Sequence, residues 1–138
     1  AGVGGVMVKQ VGGLNVALIP VAQDTSPEVS STGDLKFGAT IAMAIDAAEK
    51  ARADGADIVV GVVQTDMTND RKLIKSHAFD VILSGDDHSY ATAYDGRTAY
   101  VETSIDGQFL TPVDLAVEIE VKDDGTREMR VFHLGGGY

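Results

Sequence analysis

Cysteine and tryptophan are absent from the 138 residues, and proline occurs only three times. Without cysteine there is no disulfide, no thiolate zinc site and no cysteine nucleophile, and the redox compartment is left open. Basic residues are scarce. Eleven Lys and Arg stand against twenty-one Asp and Glu, giving a net charge of −10 and a pI near 4.5. That balance argues against a nucleic-acid polymer or an anionic membrane surface as partner, and it is compatible with binding cations. No apolar run approaches the roughly 18–20 residues a membrane helix needs, so no membrane span is expected. The amino terminus lacks a basic region followed by an apolar one, so no signal peptide is visible; a mature or trimmed chain would look the same. There is no phosphate loop of the G-x-x-x-x-G-K type and no G-x-S-x-G elbow. The glycines of Gly2–Gly5 are not a dinucleotide fingerprint, because no strand precedes them. Asp123-Asp124-Gly125 is too short for a helix-loop-helix calcium site and reads as a hairpin turn.

What the chain does have is core. Hydrophobic residues make up 44% of it, enough to fold, and the length suits a single domain over residues 1–138. Two stretches share one grammar. Asp57–Asp66 (DIVVGVVQTD) is a β-branched apolar run that ends in Gln64, Thr65 and Asp66. Asp80–Tyr90 (DVILSGDDHSY) is an apolar run that ends in Ser84-Gly85 and releases Asp86, Asp87 and His88. Each run reads as a buried strand. The short segment between them reads as a helix, so the strands form a parallel pair joined by a right-handed crossover. Parallel neighbours share their carboxyl edge, where ligands bind in open α/β sheets. Asp66 is therefore expected on the same side as Asp86, Asp87 and His88, a possible metal site. The competing reading is a solvated acidic turn with His88 on the surface.

The remaining elements follow from local signals. Ala1–Gly5 reads as loose. Val6–Val11, Gly12-Gly13 and Leu14–Pro20 read as a hairpin, with Pro20 ending the second strand. Gln23–Gly33 is a polar loop, and its Gln23, Asp24 and Thr25 are weak candidates for the same edge. A helix is expected from between Asp34 and Thr40 to about Ala53, with Ile41, Ala44, Ile45 and Ala48 on its apolar face, Met43 in packing, and Gly55 just beyond its end. Thr68 or Asn69 could cap the next helix, Asp70–Ala78, with Asp70 in its first turn and His77 near its end. Asp95-Gly96 predicts a hairpin between Tyr90–Tyr94 and Arg97–Glu102. Thr103–Thr111 is a loop. Val113–Val121 alternates as a half-exposed antiparallel strand, and Arg127–Leu134, carrying His133, returns beside it. Gly135-Gly136-Gly137 reads as a linker or tail.

In order along the chain, Ala56–Asp66, Asn69-Asp70-Arg71-Lys72-Leu73, Phe79–His88 and Thr111–Leu115 resemble the carboxyl-terminal half of the catalytic domain of the 5′-nucleotidase group of calcineurin-like metallophosphoesterases. In that group a strand ends in a threonine-histidine pair, an N-D-R-K-L helix follows, and a D-L-I-L-G-G-H-D-H segment comes next. Leu14–Pro20 also resembles a strand of that domain. The resemblance implies an α/β fold, half of an αββα sandwich: a parallel strand pair with helices, followed by antiparallel hairpins. It implies metal positions at Asp66, Asp86 and His88, with Asp87 and Thr65 in support. It also implies a divalent ion (Mn²⁺, Mg²⁺, Ca²⁺ or Zn²⁺), a phosphate-ester substrate such as a nucleotide, and a periplasmic or extracellular setting.

The departures carry equal weight. The group's histidines fall here on Asp66 and Asp86, and only His88 keeps an imidazole. Carboxylate in place of imidazole favours harder ions and opposes an incoming phosphate unless metal offsets the charge. The group's D-x-H, G-D and G-N-H motifs do not occur in the chain. The resemblance therefore implies a fragment or an altered relative, inactive alone. The alternative is a non-catalytic cation- or partner-binding domain, completed by a missing half or by a second copy of itself.

Overall fold

A computed structural model describes residues 2–3, 5–22, 33–85, 87–104 and 110–133, with side chains described within 5–22, 40–85, 87–104 and 110–131. The elements in order are β1 (Gly2–Val3), β2 (Met7–Val11), β3 (Leu14–Ala22), α1 (Gly33–Ala53), β4 (Ile58–Gln64), α2 (Met67–Ser76), β5 (Val81–Ser84), β6 (Tyr90–Tyr94), β7 (Ala99–Thr103), β8 (Leu115–Val121) and β9 (Arg127–His133). Strands β3, β4, β5 and β7 lie side by side and parallel. β1 and β2 pair antiparallel with β3 at one edge, and β6 pairs antiparallel with β7 at the other. β8 and β9 form a separate antiparallel pair.

Strict alternation along the central strands builds two cores. Ala17, Ile19 and Val21 of β3, Val59 and Val63 of β4, Ile82 of β5 and Tyr100 of β7 pack under Ile41, Ala44, Ala48 and Ala51 of α1 and Leu73 of α2. The other face carries Ile58, Val60, Val81 and Ala99, packed against Val113, Leu115, Val117 and Val131 from the β8–β9 side. Strands with apolar residues on both faces must be covered on both, which is why their sequence reads as a continuous hydrophobic run. The result is one helical layer, a mixed sheet and part of a second sheet, the arrangement expected for half of an αββα sandwich.

Aspartate opens both parallel strands for a structural reason. The Asp57 amide donates to the Asn15 carbonyl (2.8 Å), and the Asp57 carboxylate accepts from the Asn15 amide (2.8 Å). Asp80 repeats the exchange with Val59, at 2.9 and 2.8 Å. Each carboxylate therefore supplies the rung that the strand lacks at its start. Mid-strand Gly61 is equally explicable. A Cβ there would stand 3.1 Å from two ring carbons of Phe79, which is itself buried.

Several local expectations are corrected. Gly2–Val3 is a strand, held by Val21 and Ala22. β3 does not stop at Pro20 but runs on to Ala22. Pro20 falls between the pairings Met7↔Leu18 and Val3↔Val21, where its missing N–H removes no rung to β1 or β2. Met43 is 53% exposed rather than packed. The helix that begins at Met67 takes neither Thr68 nor Asn69 as its cap. Its cap is Asp66. The readings at Gln23, Asp24, Thr25 and Gly135–Gly137 fall outside the described residues, as does the side chain of His133.

Candidate functional site

The carboxyl ends of β4 and β5 meet at the amino end of α2. Asp66 takes an extended backbone conformation, and its Oδ1 accepts the Asn69 amide at 2.8 Å, with Oδ2 3.4 Å from Asn69 Nδ2. Asp87, arriving from β5, accepts the Met67 amide at 2.7 Å through Oδ2. The expected convergence of Asp66 and Asp87 on one side of the sheet is thus present. Both carboxylates are turned to the unpaired amides of the first helical turn, where the helix dipole also favours negative charge.

His88 follows in the left-handed region, with φ 55°, an uncommon place for a residue with a side chain, and it is exposed. Asp86 lies outside the described residues. Among the described residues, no three His, Asp or Glu side chains converge to hold a metal ion. The donor set described here therefore does not by itself fit a divalent ion.

Directly beneath this edge lies a polar network that the sequence reading missed. Asp70 and Glu102 have no solvent exposure. Asp70 Oδ1 accepts the Thr65 hydroxyl, and Oδ2 accepts Ser84 Oγ at 2.6 Å and the Tyr100 hydroxyl at 2.8 Å. The same Tyr100 oxygen stands 3.2 Å from Glu102 Oε2, which accepts Ser89 Oγ at 2.8 Å. The Thr65 hydroxyl thus serves buried Asp70. Burial pushes the Asp70 carboxyl above its ordinary range; the hydroxyls of Ser84, Thr65 and Tyr100 oppose that shift, and the charge of Glu102 adds to it. Burial likewise raises the Tyr100 phenol, helped by its bond to Asp70. One signal was readable. Tyr100 and Glu102 are two apart in a strand and so share the face buried under the helices, where a lone glutamate requires partners.

His77 is the helix-end residue expected of it. It ends α2 at φ 54°, its amide donates to the Ile74 carbonyl at 3.2 Å, and its Nε2 lies 2.8 Å from Asp95 Oδ2. Asp95 is held below the usual carboxylate range, chiefly by the Thr98 amide. These groups lie at the turn between β6 and β7, apart from the Asp66 cluster.

The layered half-sandwich matches in fold a part of two larger solved proteins. The Thermus thermophilus sulfate thiohydrolase SoxB, in complex with glycerol, aligns with 93% of this chain at 24% identity and a TM-score of 0.60. A Staphylococcus aureus protein named as a candidate 5′-nucleotidase, in complex with alpha-ketoglutarate, aligns with 94% at 16% identity and a TM-score of 0.65. The chain spans only 24% and 28% of the lengths of those two proteins. No protein-family model and no curated protein matches the sequence.

Proposed function

We propose that this chain is part of the catalytic domain of a 5′-nucleotidase-like phosphohydrolase and hydrolyses no phosphate ester alone. In this reading Asp66, Asp86 and His88 are its contribution to a divalent-ion site, and the remaining ligands come from a half of the domain that this chain does not supply. The substrate class is a small phosphate ester such as a nucleotide, and the setting is periplasmic or extracellular. The observation that carries the reading is the agreement in fold over nearly the whole of this chain and about a quarter of each larger neighbour.

A second reading has its own support. Asp66 and Asp87 both accept amides of α2, which suits a domain whose acidic edge caps a helix and whose remaining task is to bind a cation or a partner chain. Calorimetric titration of Mn²⁺ and Mg²⁺ into the chain and into Asp86→Ala tests whether this edge holds a cation at all, and so decides between a metal half-site and partner binding. Saturable binding that the substitution removes supports the half-site, and it calls for phosphate-ester assays with the complementary half added back. Absence of binding at millimolar metal overturns the half-site and leaves partner binding.

A further inference from the structure

We infer that the buried pair Asp70 and Glu102 forms a positioning clamp that fixes both ends of the segment carrying Asp87 and His88. The argument is one of connectivity. Ser84, the last residue of β5, bonds Asp70 at 2.6 Å before the segment begins. Ser89, immediately after His88, bonds Glu102 through its hydroxyl at 2.8 Å and its amide at 3.4 Å. The Ser89 carbonyl also accepts the Ser104 amide at 2.8 Å. Tyr100 joins the two carboxylates with a single hydroxyl, and Thr65 ties the end of β4 to the same Asp70.

Four separate pieces of chain therefore meet on two acidic groups with no solvent exposure. No Lys or Arg bonds either carboxylate among the described residues, so their partners are hydroxyls and a backbone amide. Such an assembly is costly to bury and tolerates little rearrangement. Between the two anchored serines, Asp87 is pinned by the Met67 amide at 2.7 Å, and His88 is held at φ 55°. A left-handed residue that is not glycine carries local strain, which persists only where its surroundings over-determine it. The clamp supplies that over-determination.

The role of the clamp in a half-site rests on the reading proposed above; the clamp itself does not. The experiment is amide hydrogen exchange, resolved by residue, on the metal-free chain. It compares the parent with Ser89→Ala, Glu102→Gln and Glu102→Ala. Ser89→Ala is expected to speed exchange at Asp87, His88 and Ser89 by about tenfold or more while Val59 and Ile82 in the central strands keep their protection. Glu102→Gln keeps one oxygen to accept the Ser89 hydroxyl at the cost of the longer 3.4 Å contact with the Ser89 amide, and is expected to speed exchange at the segment less than Ser89→Ala or Glu102→Ala. Should Glu102→Ala fail to fold, the contrast between Ser89→Ala and Glu102→Gln still decides the matter. Unchanged exchange at the segment in Ser89→Ala overturns the clamp, as does a rise shared equally with the central strands. Failed metal binding, by contrast, would overturn only the half-site.

Discussion

Buried acids without basic partners have a signature in how stability follows pH. Tyr100 has one hydroxyl proton and two carboxylates facing it, so it cannot donate to both. Tyr100 donates to Asp70 Oδ2 at 2.8 Å and stands farther, at 3.2 Å, from Glu102 Oε2, so a proton on Asp70 relieves the repulsion between two carboxylates that share one donor. The raised affinity of Asp70 for its proton fits that arrangement, with burial as the leading cause. The sign follows from linkage. A group whose folded-state pKa lies above its unfolded value of about 3.9 contributes stability that is fully present below that value and is lost as pH rises through the folded one. Asp70→Asn mimics the protonated form and removes the dependence. The parent should therefore lose stability relative to Asp70→Asn as pH rises from about 4 towards neutrality, with a slope of at most about 1.4 kcal/mol per pH unit for one proton. Chemical denaturation of both proteins across that range measures it. A stability difference independent of pH would mean that Asp70 stays ionised throughout.

At the scale of the element, α2 shows where the sequence was legible and where it was not. The helix itself, its parallel flanking strands and its terminal histidine could all be read from apolar spacing and turn chemistry. Its start could not be, because Asp66 suited two roles: the end of a strand that resembled a metal motif, and the cap of the next helix. Only the distance to the Asn69 amide assigns the second. Pro20 failed for a related reason, since its cost depends on what pairs with it and local sequence does not reveal the gap between β1 and β2. The Asp70 network was missed because its members come from four places in the chain. The two roles of Asp66 can be separated by substitution. Asp66→Ala should cost about 1 kcal/mol (range about 0.5–2) in urea denaturation, whereas Asp66→Asn, nearly as good a cap, should cost only a few tenths. If Asp66 also binds metal, asparagine should weaken Mn²⁺ binding about as much as alanine does. An asparagine variant that binds like the parent would leave Asp66 with the cap alone.

For the whole molecule, the second face of the sheet is graded. Ile58, Val60 and Val62 point the same way from β4, yet they are 5%, 8% and 47% exposed. The β8–β9 hairpin covers the amino end of that face, near Ile58 and Val60, and the cover thins towards the carboxyl edge where Asp66 lies. Val11, on the hairpin at the sheet margin, is 61% exposed, and Leu110 is 89% exposed. Val62 is the residue of this face that the gradient leaves uncovered at the carboxyl edge, and a sheet that is apolar on both faces is completed by a layer over that end. A pair of substitutions on one strand isolates the role of that end. Val60→Asp puts a charge into the covered part and should unfold the chain, because nothing there can pair with it. Val62→Asp, two residues along, should change stability by no more than about 0.5 kcal/mol, as surface changes generally do. The same substitution should abolish association, either of the chain with itself or with the complementary half of the domain. Sedimentation velocity over a hundredfold range of concentration, with and without that half, reads the outcome. If Val62→Asp associates as well as the parent, the exposed end of β4 is not the surface through which the sandwich is completed.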